Sequence, residues 1–264
     1  MYENKIISIV IKNANDILAI ESLKQQNFKG WECFLINNSV ENINEHIATD
    51  SRFHLLKTDN INDAIQLANG NYIIIINADD VFIPSALDYI YHMIYLTDAD
   101  IINFKSKQLD TSNGIKNSKP DFNYICQKHY ILEHAFDDLS CFCIKNDVIC
   151  KTQDFSSDHL IVFDALKNAK DMTITVQTYL LKKTQHHIVQ ESSEYIKIID
   201  NFLNNKNEFS PDFWKKYFAT IMPDLVIQTK QTKKTFIALC KKIPLKLIPL
   251  KYRLTLFIMR IINR

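Results

Sequence analysis

An acidic pair closes the most apolar run of the chain: Tyr72-Ile73-Ile74-Ile75-Ile76 passes straight into Asn77-Ala78-Asp79-Asp80. Two adjacent carboxylates repel each other, and they are most useful where a divalent cation that prefers oxygen ligands, Mg2+ or Mn2+, brings a phosphate with it. The same residues also suit a plain turn before a helix entered at Pro84. Four consecutive isoleucines are too apolar for a half-exposed strand, so residues 73–76 are read as a central strand buried on both faces of a parallel sheet. In open α/β sheets ligands bind beyond the carboxyl ends of the strands, which is where Asp79 and Asp80 emerge.

The elements around this strand follow from periodicity. Residues 5–12 (KIISIVIK) are β-branched and apolar and predict a buried first strand. A helix follows with Ile17, Leu18, Ile20 and Leu23 on its inner side, and residues 31–37 (WECFLIN) form a second strand ending in Asn37-Asn38-Ser39. A short helix over 41–48, a strand over 52–56 and a helix over 61–68 lead to the isoleucine run. Beyond Pro84 the pattern predicts a helix to about residue 96, a strand over 99–105, a polar loop over 110–123 and a strand from 139 into a turn by 150. Then come a helix opened by Phe155-Ser156-Ser157-Asp158 and a last strand over 172–181. Strands alternating with helices indicate an α/β fold with a central, mostly parallel sheet flanked by helices.

Composition narrows the chemistry. The 264 residues hold three glycines, Gly30, Gly70 and Gly114, so no glycine-rich phosphate loop can be written from them. Six cysteines show no metal spacing and are read as small buried hydrophobes in a reduced, cytosolic chain. The start of the chain is read as lacking a signal peptide, and no stretch reaches the roughly 20 apolar residues that span a bilayer. The net charge of +1 hides a split: ten of the 31 basic residues and none of the 30 acidic ones follow Leu225. That tail ends in an amphipathic stretch, residues 250–262, which either lies in a lipid headgroup region or docks on its own body.

These pieces together resemble the GT-A glycosyltransferases of family 2. The likeness rests on Ile7-Ser8-Ile9-Val10-Ile11, on Ser22-Leu23 with Gln25-Gln26 and Phe28, on Leu35-Ile36-Asn37-Asn38-Ser39, and on Ala68-Asn69-Gly70-Asn71-Tyr72 leading to Asn77-Ala78-Asp79-Asp80. It covers residues 5–100 well and 139–187 loosely. It implies a GT-A domain over 1–190, with a nucleotide-sugar half (1–100) and an acceptor half (101–190), and a helical, basic extension over 191–264. The implied reaction is an inverting transfer from a nucleotide-diphosphate sugar, UDP-sugar foremost, to an acceptor hydroxyl.

The family's D-x-D element, which holds the cation against the diphosphate, falls on Asn77 and Asp79 with Asp80 beside them. Asp79 is then the metal ligand, for Mn2+ or Mg2+. Asn37 or Asn38 matches the acidic residue that reads the base, and an amide can both donate and accept there. Asn77 departs from the usual aspartate: an amide can still meet a ribose hydroxyl but is a weaker cation ligand. The usual P-x-Y-N after the first strand is replaced by Lys12-Asn13-Ala14-Asn15. Asp158 sits where the family places its general base, and a residue that simply favours the helix dipole fits there too. His186 or His187 falls where relatives sometimes supply a histidine to the metal or diphosphate, and a solvated pair is the other reading.

The basic tail suggests a lipid-linked glycan acceptor, lipooligosaccharide, capsule or O-antigen in kind. It also suggests peripheral attachment to the anionic inner face of a bacterial cytoplasmic membrane. No nucleic-acid partner is expected, since no base-reading module is recognisable. The competing expectation is a catalytically weak nucleotide-binding or membrane-recruiting module in which Asn77 has spoiled the metal site.

Overall fold

The computed structural model describes residues 6–37, 43–108, 124–126, 138–155 and 157–182, with isolated positions between 200 and 246. The expected loop over 110–123, Asn38, the histidines 186 and 187, and nearly all of the basic extension lie outside the described residues. Residues 1–131 and 137–186 make up one compact unit, and residues 132–136 and 187–264 a second.

Four strands carry the first half of the chain: β1 (Ile7–Lys12), β2 (Trp31–Ile36), β3 (Phe53–Leu56) and β4 (Tyr72–Asn77). They pair in parallel in the order β3-β2-β1-β4. The helices α1 (Leu18–Lys24), α2 (Asn44–Ile47) and α3 (Ile61–Leu67) make their crossovers. Parallel strands need such connections, and the sequence supplies them.

After β4 the sheet becomes mixed. The remaining strands are β5 (Asp80–Phe82), β6 (Ile101–Gln108), β7 (Tyr124–Cys126), β8 (Phe142–Lys145) and β9 (Met172–Lys182). They extend the sheet as β4-β8-β6-β9-β5, with β7 also on β9. β8 is antiparallel to both neighbours, β6 and β9 are parallel, and β5 and β7 are antiparallel to β9. Parallel pairing is thus confined to the first four strands and the β6–β9 pair, less than the mostly parallel sheet expected. Only Ala78 and Asp79 separate β4 from β5, yet three strands lie between them in the pairing order. The sheet must therefore curl, bringing its far edge back to the end of β4. Helices α4 (Ala86–Thr97), α5 (Asn146–Ile149) and α6 (Asp158–Asn168) complete the described unit.

The central strands are buried on both faces, as the isoleucine run demanded: Ile73, Ile74 and Ile76 are fully buried and Ile75 nearly so. Alternate residues Ile7, Ile9, Ile11, Cys33, Leu35, Ile74 and Ile76 join one apolar cluster with Ala19, Ile20 and Leu23 of α1 and Leu87, Ile90 and Met93 of α4. Each such isoleucine contributes roughly 1.5–3 kcal/mol by leaving water. On α1 the inner face differs from expectation. Ile17 is exposed and Leu18 half-buried, while the polar Ser22 and Gln26 are buried. Their hydrogen bonds explain this. Ser22 Oγ accepts from Phe82 N, Gln26 Nε2 donates to the Ile83 carbonyl, and Gln26 Oε1 accepts from Leu87 N. The serine and glutamine of the sequence signature thus tie α1 to the chain that leaves β5.

A second polar network fixes the start of β4. Glu32, fully buried in β2, accepts from Ser8 Oγ at 2.8 Å and from Asn69 N at 2.7 Å, and Ser8 Oγ in turn accepts from Gly70 N at 2.8 Å. A Cβ on Gly70 would stand 2.5 Å from Ser8 N, so this position, two residues ahead of β4, must lack a side chain. The register of β4 against β1 is set by this contact, and it delivers Asn77 opposite Lys12.

Among the described residues no helix is long and apolar enough to cross a membrane. Cys33, Cys141 and Cys143 are free and buried, and Cys150 is free and exposed.

Candidate active site

Three adjacent strands end at one edge. β4 ends at Asn77, β1 at Lys12 in register with it, and β2 at Ile36, with Asn37 the next residue. Just past β1, Asn13 takes a left-handed backbone (φ 49°), a conformation asparagine tolerates better than most residues. The reversed chain is then clamped to β2: Ala14 N donates to the Ile36 carbonyl at 3.1 Å, and Asn37 Nδ2 donates to the Ala14 carbonyl at 2.6 Å. Part of the hydrogen-bonding capacity of Asn37 therefore holds the loop that replaces the usual P-x-Y-N.

At the end of β4 the two aspartates separate. Asp79 is half-buried in the turn. Asp80 starts β5 and is fully buried, with Oδ2 accepting from Asn77 N at 2.9 Å and, more weakly, from Asn77 Nδ2 at 3.4 Å. Its Oδ1 has no hydrogen-bond partner among the described residues. Burial pushes the Asp80 carboxyl up, against the opposing pull of Lys182 and the Asn77 N–H. Lys182, its partner across the β5–β9 pairing, is itself buried and forms an ion pair with Asp138 at 2.5 Å. Burial works against the lysine's charge, but Asp138 and Asp80 outweigh it and hold its pKa above the ordinary value. Burial likewise opposes the Asp138 charge, and Lys182 more than offsets it. The turn also receives Ala19 N from α1 at the Ala78 carbonyl. Asp79 thus stands on a turn braced from three sides.

Asp158 is the first residue of α6, and Ser157 is the N-cap, its Oγ accepting from Leu160 N at 3.3 Å. The Asp158 carboxylate takes Lys12 Nζ at 2.6 Å on both oxygens, a contact 146 residues apart in the chain. Asp164 is buried and accepts from Gln153 N at 3.0 Å, pinning the segment before α6. A cavity of about 820 Å3 opens over this edge, lined by Lys12, Asn37, Asn60 at the N-cap of α3, Phe155 and Asp158. That volume suits a ligand of cofactor size. The turn at 77–80 lies beside it, one strand along from Lys12.

The structure therefore brings Asn37, Asn77, Asp79 and Asp158 to one edge and places Asp80 inside. Asn38 and His186 lie outside the described residues. No group of three or more His, Cys, Asp or Glu side chains among the described residues is arranged to hold a metal ion. Lys12, Asp138 and Lys182 escaped the sequence reading; a lysine closing an apolar strand was the one available signal.

The sequence matches the model of glycosyl transferase family 2 over residues 7–150, a span that runs from β1 to the end of α5. The chain belongs to this family. It also superposes on solved structures of S. aureus TarS, and these likenesses show the fold alone. Residues 1–349 of TarS in complex with UDP-GlcNAc match with a TM-score of 0.70 at 15% identity, covering 97% of this chain and 86% of that one. The UDP complex matches with a TM-score of 0.63 at 16% identity, covering 97% and 87%. No curated protein sequence matches the chain. The α/β architecture with its curled central sheet is thus the GT-A fold expected of a family 2 glycosyltransferase, and glycosyl transfer is its class of reaction.

Proposed function

We infer that this family 2 member is an inverting glycosyltransferase that moves a sugar from a nucleotide-diphosphate sugar, a UDP-sugar, to a hydroxyl of a growing bacterial surface glycan. One observation carries the proposal: Asp158 stands in the wall of the cavity over β1 and β2, one strand from the turn that presents Asp79. A donor laid across these ends has its base at Asn37, its ribose over the end of β1 toward Asn77, its diphosphate at Asp79 and its sugar toward Asp158. The UDP-GlcNAc and UDP held by the TarS structures support a uridine donor.

In the proposed reaction the acceptor oxygen attacks the anomeric carbon from the side opposite the diphosphate while its proton passes to an Asp158 oxygen. The new C–O bond forms as the bond to the β-phosphate oxygen breaks, and the nucleoside diphosphate leaves with the electron pair. A single displacement inverts the configuration. Asp79 would hold Mg2+ or Mn2+, with His186 a further candidate; a bound cation supplies neutralisation of the leaving diphosphate. The donor set fits, because Mg2+ is ordinarily held by one or two carboxylates with substrate phosphates completing the shell. Asp80, braced inside the turn, positions Asp79 and does not itself meet the ligand. The basic tail is assigned to an anionic membrane face carrying a lipid-linked acceptor.

Asp158→Asn tests the central role. Transfer should fall by about 10²–10⁴-fold, the usual worth of a positioned base, while UDP still binds. Wild-type transfer rates in the variant would refute it.

A further inference from the structure

Lys12 closes β1 and spends its ammonium on Asp158, the carboxylate assigned as base. Both oxygens are engaged at 2.6 Å, and the two side chains keep 16% and 23% of their exposure. With the ammonium across both oxygens, neither is open to an acceptor hydroxyl, which raises the question of what removes the lysine.

Strand order supplies the answer. β1 lies between β2 and β4, so a ligand that reaches from Asn37 at the end of β2 to Asp79 beyond β4 must cross the end of β1. Neighbouring strands are about 4.8 Å apart, and the crossing portion of a nucleoside diphosphate sugar laid this way lies between base and cation, which is its ribose and phosphates. Lys12 is the single basic side chain among the described residues lining the cavity, against Asp59, Asp154 and Asp158. An incoming diphosphate therefore meets a wall of carboxylates with one cation in it, and that cation is on a flexible stem within reach.

We propose that Lys12 is an exchangeable counter-ion: paired with Asp158 in the empty enzyme, it transfers to the donor's diphosphate on binding and so frees Asp158 to accept the acceptor proton. The exchange couples donor binding to activation of the base. Without donor, the base stays masked; with donor, one phosphate charge is matched and the carboxylate is released at the same moment. Lys12 acts here as a positioning and binding residue. The inference rests on the reading of the cavity as a nucleoside diphosphate site.

A double-mutant cycle on UDP affinity tests it without any turnover. Titration calorimetry with UDP and Mn2+ is run on wild type, Lys12→Met, Asp158→Asn and the double variant, with thermal melts to show that each is folded. If the Lys12–Asp158 pair breaks when UDP binds, Lys12→Met costs more affinity in the Asp158→Asn protein than in wild type, with non-additivity of fivefold or more. General repulsion between Asp158 and UDP cancels from the cycle, so the excess reports the broken pair alone. Lys12→Arg, which keeps the charge, should retain affinity within a few-fold, and Lys12→Gln replaces Lys12→Met should the latter not fold. Additivity within about twofold would show that the pair persists in the complex and would overturn the exchange. Failure of wild type to bind UDP, GDP or CDP would overturn the nucleotide reading and the exchange with it.

Discussion

Gly70→Ala puts the packing at the head of β4 to a quantitative test. An added Cβ would lie 2.5 Å from Ser8 N, 2.6 Å from Ser8 Oγ and 2.9 Å from the Ile7 carbonyl carbon. Two of those neighbours are backbone of a fully buried central strand, so they cannot swing aside. Overpacking of this sort costs about 1–3 kcal/mol. Any retreat of the chain also stretches the Gly70 N to Ser8 Oγ bond and the Ser8 to Glu32 bond, both 2.8 Å and buried, worth about 1–3 kcal/mol if left unsatisfied. A total near 2–6 kcal/mol corresponds to a drop in Tm of about 4–24 °C for a unit of this size. The control is Gly30→Ala, whose closest neighbour at 2.7 Å is the Phe28 ring tip, a side chain and not strand backbone. Differential scanning calorimetry of the two variants side by side should rank Gly70→Ala as the more damaging. A Gly70→Ala protein melting within a degree or two of wild type would refute the claim that this close approach sets the register.

Other expectations follow from the charges. Lys182→Met leaves the buried Asp80 and the half-buried Asp138 without their cation and should cost about 3–5 kcal/mol, read by urea denaturation. Asp138 has its folded pKa lowered, so its pairing adds stability above the ordinary carboxylate range and loses it as pH falls through the lower folded value. Asp138→Asn should accordingly flatten the acid limb of the stability–pH curve. Lys182 has its folded pKa raised, so its contribution is complete below the ordinary lysine range and fades as pH rises through the folded value. Deleting residues 225–264 should abolish co-sedimentation with vesicles containing anionic lipid, and unchanged partitioning would remove the tail from the membrane assignment.

Hydropathy made the first half of the fold legible, for a specific reason. Strands β1, β2 and β4 are buried on both faces, and a run such as Ile73 to Ile76 is stable only inside the folded unit. The same logic failed on α1, where Ile17 was expected inside and Ser22 and Gln26 were not. A buried polar side chain is stable through its partners, here Phe82, Ile83 and Leu87 some 60 positions on, and those partners are invisible to a hydropathy scan. β5 escaped for a different reason: three residues are too short to show a period, and it forms because β9 passes beside it. At the site, composition alone presents Asp79 and Asp80 as one acidic pair, and only the family resemblance singles out Asp79. Only the onset of β5 at Asp80 separates them, turning one carboxylate inward to Asn77 and Lys182 while the other stays in the turn. The Lys12–Asp158 pair spans 146 positions and belongs to tertiary structure alone.

The central claim is that this edge of the sheet binds a nucleoside diphosphate through a cation held by Asp79. Titration calorimetry of the chain with UDP, GDP and CDP, each with and without Mn2+, and repeated on Asp79→Ala, tests it most directly. UDP should bind in a Mn2+-dependent manner, and Asp79→Ala should abolish that dependence. Binding of none of the three, or binding indifferent to both Mn2+ and Asp79→Ala, would contradict the assignment.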